Sequence, residues 1–252
     1  MTDSLGYRMK FAVVAPSTNT SVQPEYEDMR PRGVTNHFAR IAIPDTRVSS
    51  DDSFMVMLNN IRESTMDAVD VSLSMEPGCV IMGMSAETFW DGAEGAARLH
   101  AKMVERTGGI PVIMGSTAVD AAISAYASEG KAIRRIGIIT PYMPVGDANV
   151  RRFFEDQGYE VVNLIGLKSP SPMMIAHESR QTLRDAAIAV SEGVDAIIQC
   201  GTNLAFAEVA AIAEFWLGKP VIAINTATYW HALRSMGITD QKDGFGRLLA
   251  HF

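Results

Sequence analysis

Residues 194–203 read VDAIIQCGTN, and a helix-like segment, LAFAEVAAIAEF, follows directly at Leu204. Apolar and small residues run into Gln199 and Cys200, and a Gly-Thr-Asn turn comes next. This order predicts a buried strand, a tight turn and a helix. It places the Cys200 thiol at the carboxyl end of the strand and beside the amides of the first helical turn, whose partial positive charge favours a thiolate or a bound carboxylate. A buried cysteine that only packs in the core is the alternative.

Similar apolar runs recur along the chain and alternate with segments of helical spacing. Strands are predicted at 11–15, 79–82, 111–114, 136–139, 196–198 and 220–224, and helices at 93–104 and 182–191. Continuous apolar strands that alternate with helices indicate a parallel sheet covered on both faces. The fold class predicted from this pattern is α/β.

The chain also contains an internal repeat. KFAVVAP at 10–16 matches RIGIITP at 135–141, and GIPVIMGSTA at 109–118 matches GKPVIAINTA at 218–227. Shared strand-turn-helix punctuation is the simpler explanation, but the second pair of segments extends beyond a turn. We therefore expect two pseudo-symmetric α/β lobes, the first comprising 1–117 with 226–252 and the second comprising 118–225. Three strand ends from each lobe should face one cleft.

Composition and charge exclude several classes of protein. The 252 residues are 47% hydrophobic and carry a formal net charge of -7, which argues against a nucleic-acid-binding surface. The two cysteines form neither a disulfide framework nor a zinc motif, as is usual in a reducing cytosol. The chain begins without an apolar signal core and contains no apolar run of about 20 residues. We expect a cytoplasmic protein that binds no membrane, and we leave open whether it forms a homo-oligomer.

Polar side chains gather at the predicted strand ends. They are hydroxyls, amides and one thiol, which can hydrogen-bond a carboxylate without a salt bridge, so a small carboxylate is the expected substrate. The alternative for each of them is a cap on the following helix. These residues are Ser17, Asn19, Ser85, Ser116, Thr117, Tyr142, Cys200, Thr202, Asn203, Asn225 and Thr226.

No cofactor or metal is expected. The five histidines are scattered, and none has a carboxylate or cysteine at ligand spacing. No glycine-rich phosphate loop follows a strand. His231 could serve as a general base, although a partly buried helix histidine is the plainer interpretation.

Four short motifs resemble the aspartate/glutamate racemase superfamily, in particular its maleate isomerase and arylmalonate decarboxylase branch. They are PSTNT at 16–20, VIMGMSA at 80–86, PYM at 141–143 and Cys200-Gly201, and the resemblance covers nearly the whole chain. It implies two flavodoxin-like lobes with the active site between them, no cofactor, and usually one cysteine on each lobe.

The first-lobe cysteine of that pattern is missing. Ser85 stands where a maleate isomerase has its first-lobe nucleophile, with Met84 as the other possible register, and Cys79 lies earlier, within the strand. Arylmalonate decarboxylases also have only the second-lobe cysteine, which protonates the enediolate left by carbon dioxide loss. The resemblance therefore implies that Cys200 donates the proton and that Ser85, with other donors, binds a carboxylate.

Other residues point toward the isomerases. The PSTNT segment is more similar to theirs, with Asn19 as a carboxylate ligand, whereas a further isomerase asparagine falls at Pro172. The lead prediction is decarboxylation of a substituted malonate-type acid. Isomerisation or racemisation of a small dicarboxylate, and a non-catalytic carboxylate-binding protein, are the alternatives. The predicted site comprises the catalytic residues Cys200 and Ser85 and the substrate-binding residues Ser17, Asn19, Thr117, Tyr142, Gly201, Thr202 and Asn203.

Overall fold

The computed structural model of the protein describes residues 3–252. The strands are β1 (Met9–Pro16), β2 (Val34–Ile41), β3 (Cys79–Met82), β4 (Val112–Ile113), β5 (Arg135–Thr140), β6 (Glu160–Gly166), β7 (Ala196–Gln199) and β8 (Val221–Ala223). The α-helices are α1 (Val22–Met29), α2 (Asp51–Leu73), α3 (Gly92–Arg106), α4 (Gly115–Ala127), α5 (Pro144–Asp156), α6 (Arg180–Ala189), α7 (Ala207–Leu217), α8 (Ile224–Ser235) and α9 (Arg247–His251). Two short 3-10 helices lie at Ala86–Phe89 and Met174–His177.

The strands form two parallel sheets with the same topology. Their orders are β2-β1-β3-β4 and β6-β5-β7-β8. The central strands β3 and β7 are fully buried, and β1 and β5 are buried except at their first residues. Burial on both faces of a sheet requires the continuous apolar runs seen in the sequence. The α/β fold with two pseudo-symmetric lobes is confirmed.

Two strands were missing from the sequence prediction. β2 and β6 each form one edge of a sheet and mix buried with partly exposed positions, whereas the strands at the opposite edges, β4 and β8, are buried. An outer strand with one solvated side has no continuous apolar run, so hydrophobicity alone does not reveal it.

The C-terminal part of the chain returns to the first lobe. Helix α8 follows β8 of the second sheet, yet its Tyr229 ring packs on Phe11 of β1 and on Tyr26 of α1, at centroid distances of 5.8 and 4.8 Å. The lobe boundaries 1–117 with 226–252 and 118–225 stay a prediction, and this packing agrees with their general arrangement.

The helix after Cys200 begins later than expected. Helix α7 begins at Ala207 instead of Leu204, and residues 201–206 form an irregular turn. Cys200 is therefore not beside the first helical turn, so the predicted stabilisation of a thiolate there is wrong. Within residues 3–252, no helix combines the length and apolar character needed to cross a membrane.

Candidate active site

The carboxyl ends of the two sheets enclose a small cavity of about 50 Å³. Typical ligand pockets have volumes of about 300–1,000 Å³, so this cleft is closed, with residues of the two lobes in contact across it. Its lining carries no charged side chain within the described part of the chain. The lining residues are Pro16, Thr18, Asn19, Ile43, Met57, Ile61, Met84, Ser85, Ala86, Pro141, Tyr142, Pro172, Ile175, Gly201, Thr202 and Asn203.

Three predicted site residues meet in one hydrogen-bond cluster. The Ser85 Oγ and the Tyr142 hydroxyl are 2.6 Å apart, and the Thr202 backbone N–H donates to the same Ser85 Oγ at 3.0 Å. Burial raises the pKa of Tyr142 far above its usual value, so its hydroxyl stays protonated. The cluster thus brings two hydroxyls and an amide N–H from both lobes to one point, and such donors can bind a carboxylate or a developing oxyanion.

Cys200 lies directly after β7 and is fully buried. Its N–H donates to Ile139 O at 2.8 Å, which fixes the backbone at the strand end. Burial is the main cause that raises the thiol pKa well above its ordinary value, and the charge of Asp147 adds to it. Cys200 itself is absent from the cavity lining, whereas the next two residues, Gly201 and Thr202, belong to it. The Cys200 side chain is therefore a neutral thiol beside the closed cleft, which suits a proton donor better than a nucleophile.

Asp147 is a half-buried carboxyl that the sequence prediction missed. It accepts a hydrogen bond from Thr140 Oγ1, and the same hydroxyl accepts the Tyr142 N–H at 3.1 Å. Burial raises the pKa of Asp147 to about 6. No sequence motif marks it, because an acidic residue in the first turn of α5 is an ordinary helix feature.

The strand registers identify the residue that corresponds to Cys200 in the first lobe. In the internal repeat, Val14 of β1 corresponds to Ile139 of β5. Val14 pairs with Met82, and Ile139 pairs with Gln199, so the residues that follow these partners, Gly83 and Cys200, are equivalent. The Gly83 N–H donates to Val14 O at 2.8 Å, as the Cys200 N–H does to Ile139 O.

This register corrects the predicted one. Neither Ser85 nor Met84 is equivalent to the second-lobe cysteine, because each lies beyond Gly83. Ser85 corresponds instead to Thr202, its hydrogen-bond partner across the cleft. Met84 lines the cavity with its side chain 2% exposed.

Two predicted asparagines join the lobes. Asn19 accepts the Ser21 and Val22 N–H groups with Oδ1 and donates from Nδ2 to Thr202 Oγ1 at 3.2 Å. Asn203 accepts the Thr20 N–H at 2.9 Å. It also donates to the carbonyl oxygens of Thr18 and Pro172. Both residues line the cavity, and their amides also hold the cleft closed.

Other predicted residues lie away from this cluster. The Ser17 hydroxyl exchanges hydrogen bonds with the backbone of Ile43, and Thr117 donates to the carbonyl of Met114, the residue that precedes α4. Neither lines the cavity, and their roles in binding stay predictions. His231 packs beside Trp230 on α8 and is also absent from the lining, and burial lowers its pKa.

The cavity has an apolar wall that the sequence did not single out. Met57 and Ile61 lie on α2, Ile43 precedes that helix, and Ile175 lies in the second 3-10 helix. In the sequence these residues are indistinguishable from core positions. Within residues 3–252, no group of three or more His, Cys, Asp or Glu side chains is arranged to hold a metal ion.

Known proteins share this architecture. The sequence profile of the family described as arylmalonate decarboxylase matches residues 13–249. A maleate isomerase of Pseudomonas putida is 22% identical over 247 residues, which cover 94% of this chain and 95% of that enzyme. A mutant of the Nocardia farcinica maleate cis-trans isomerase with a covalently bound succinylcysteine intermediate is 21% identical, with a TM-score of 0.85 over 97% of this chain and 99% of that one. A double mutant of arylmalonate decarboxylase in its liganded form is 20% identical, with a TM-score of 0.78 over 96% and 98% of the two chains.

The two lobes and the cleft between them are those of the aspartate/glutamate racemase superfamily, in its maleate isomerase and arylmalonate decarboxylase branch. Within that branch, the chain belongs to the arylmalonate decarboxylase family. It is an enzyme of the isomerase or decarboxylase type.

Proposed function

We propose that this enzyme decarboxylates a malonate-type acid with an apolar substituent on the central carbon. The bond between that carbon and one carboxylate breaks, carbon dioxide leaves, and the electron pair moves into the remaining carboxylate to give an enediolate. The Cys200 thiol then gives its proton to the central carbon, and the resulting thiolate regains a proton from solvent.

The observation that carries this proposal is the single thiol beside the cleft, at Cys200, whose neighbours Gly201 and Thr202 line the cavity. Cys200 reaches a substrate once the closed cleft opens. Glycine occupies the position equivalent to Cys200, and the other cysteine, Cys79, is fully buried within β3 with its pKa raised by burial to about 12. One proton donor is enough for decarboxylation followed by protonation. A racemase-like exchange needs a second acid/base group on the opposite face.

The hydrogen-bond cluster supports the same chemistry. Ser85, Tyr142 and the Thr202 N–H can bind the carboxylate that stays and stabilise the negative charge that develops on it. Once the closed cleft opens, the apolar wall of Ile43, Met57 and its neighbours offers contacts to an apolar side group. A carboxylate held against that wall loses hydration, which favours its departure as neutral carbon dioxide.

Maleate isomerisation is the second candidate. The Pseudomonas putida and Alcaligenes faecalis relatives are maleate isomerases, and the Nocardia farcinica enzyme carries a succinylcysteine intermediate. A small dicarboxylate substrate is common to both candidates. Addition of sulfur to a double bond requires a thiolate, and the raised pKa of Cys200 disfavours one in the closed cleft. A non-catalytic carboxylate-binding protein would turn over neither acid.

Incubation with phenylmalonate and, separately, with maleate tests the proposal. We expect carbon dioxide release from phenylmalonate and no fumarate from maleate. Cys200→Ala should lower the rate by about 10² to 10⁴, the usual contribution of a general acid. Cys79→Ala is the matched control, because it also removes a fully buried thiol, and it should leave the rate unchanged. Fumarate formation without carbon dioxide release would overturn the proposal in favour of the isomerase.

A further inference from the structure

Glu25 is a first-lobe carboxylate that reaches into the second lobe. It lies on α1, and its Oε2 accepts a hydrogen bond from Asn225 Nδ2 at 2.6 Å. Its Oε1 accepts the N–H of Ala207, the first residue of α7, at 3.1 Å. No cation forms an ion pair with it among the described residues, and burial raises its pKa to about 7. A half-buried carboxyl without a cation loses part of its hydration, and its two hydrogen bonds to the second lobe offset that cost.

Asn225 connects Glu25 to the active site. Besides its bond to Glu25, the same Nδ2 donates to Thr202 O at 2.9 Å. Both hydrogens of this NH₂ group are thus used on oxygen acceptors, while Asn225 Oδ1 is buried without a hydrogen-bond partner among the described residues. The opposite orientation of the amide would point Oδ1 at two acceptor oxygens. Glu25 therefore fixes which way the amide faces.

Thr202 is held from three sides. Its carbonyl accepts from Asn225, its hydroxyl donates to Gly83 O at 3.2 Å, and its N–H donates to Ser85 Oγ. Contacts on both the N–H and the C=O of one residue restrict its two backbone dihedrals. The direction of the Thr202 N–H, which donates to Ser85 Oγ at the cavity lining, consequently depends on Asn225, and through it on Glu25.

Glu25 does not itself line the cavity. It lines a separate, larger groove of about 1370 Å³, which also contacts α7 and the C-terminal residues. Its carboxyl is connected to that cavity through Asn225 and Thr202.

We propose that Glu25 is a positioning residue for the reaction, acting through Asn225 to hold the Thr202 N–H in line with the substrate carboxylate. This inference rests on the proposed function for the choice of substrate, but the chain of contacts is the same for either dicarboxylate reaction.

A double-mutant cycle tests this path. Glu25→Gln leaves an amide that cannot accept from both donors, and Asn225→Ala removes the link to Thr202. Each should lower kcat about tenfold or more, with a smaller change in KM, because a misplaced donor weakens transition-state stabilisation. The double variant should lose no more than the worse single variant, since both changes interrupt one path.

Glu27→Gln is the matched control. Glu27 also lies on α1 and accepts from an asparagine amide, that of Asn36 at 3.1 Å, but this contact stays within the first lobe. It should leave kcat unchanged. If Glu25→Gln does not fold, the kcat of Asn225→Ala tests the proposal instead. An unchanged kcat in Asn225→Ala overturns it. Additive losses in the double variant would overturn it as well, because a purely structural role gives independent effects.

The products that the wild-type enzyme forms from phenylmalonate and from maleate test the proposed function. The role of Glu25 is tested separately, by the ratio of kcat in each variant to kcat in the wild type on whichever acid reacts. If neither acid reacts, the affinity for malonate, measured by calorimetry, replaces kcat. Glu25→Gln should then weaken malonate binding about fivefold, the value of one hydrogen bond, and Glu27→Gln should not. Equal affinities of the two variants would refute the inference.

Discussion

Replacing Ser85 by alanine is the most direct test of the hydrogen-bond cluster. The change removes the acceptor of the Thr202 N–H and the partner of the Tyr142 hydroxyl. A buried polar group left unpaired costs about 1–3 kcal/mol. Both groups border a cavity with room for water, so the lower end of that range, about 1 kcal/mol, applies to each of the two. We therefore expect Ser85→Ala to lower the free energy of unfolding by about 2 kcal/mol.

The effect on turnover should exceed the effect on stability. Loss of one oxyanion-binding donor typically lowers kcat by about 10² to 10³, and the other two donors remain, so we expect about 10². Ser116→Ala is the matched control, since Ser116 is fully buried in the same lobe and its Oγ has no hydrogen-bond partner among the described residues. Urea denaturation and initial rates measure both effects. A Ser85→Ala protein that matches Ser116→Ala in stability and kcat would refute the assigned role.

Three further predictions address the opposite face, the pH dependence of stability and metal dependence. Gly83→Cys should introduce a second thiol in the first lobe, at the position equivalent to Cys200, and produce deuterium exchange and loss of optical purity at the α carbon of a carboxylic acid product. The Cβ of the new cysteine would lie 3.0 Å from the Ala15 Cβ, so the neighbouring residues must shift slightly. The pKa of Glu25 is about 7 in the folded protein against an ordinary 4.5, so the folded state binds this proton more tightly than the unfolded state does. The free energy of unfolding should therefore fall as the pH rises from 4.5 to 7. Glu25→Gln should reduce this pH dependence, measured as the midpoint of urea denaturation at each pH. Exhaustive dialysis against a chelator should leave the rate unchanged, and recovery of lost activity on adding a divalent metal would contradict the mechanism.

The fold was largely predictable because its central strands are buried on both faces. Such strands need continuous apolar runs, and the internal repeat showed that the pattern occurs twice. The outer strands β2 and β6 lacked this signal, and the start of α7 was misplaced because LAF at 204–206 fits helical spacing although these residues belong to the turn. Helical spacing cannot distinguish the two when the turn is itself buried.

The hydrogen-bond cluster at the cavity was predictable because its polar residues lie at strand ends, as Ser85, Tyr142 and Thr202 do. A role was not predictable where it depends on packing between distant segments. Glu25 reads as an ordinary acidic residue in the first turn of a helix, and only the fold brings it to Asn225, 200 positions away in the chain. Sequence spacing contains no information about such a contact.

The register error at the first lobe has a chemical consequence. Counting from a short motif put a serine opposite Cys200, whereas counting from paired strands puts Gly83 there. A serine would have offered a second polar group on that face, but a glycine offers none. If protonation comes from Cys200 alone, the proton reaches the substrate carbon from one lobe only, so a prochiral intermediate bound in one orientation gives a single enantiomer. The residue that limits the cleft to one face is therefore one without a side chain, and although it lies within the motif VIMGMSA, only the strand pairing shows its equivalence to Cys200.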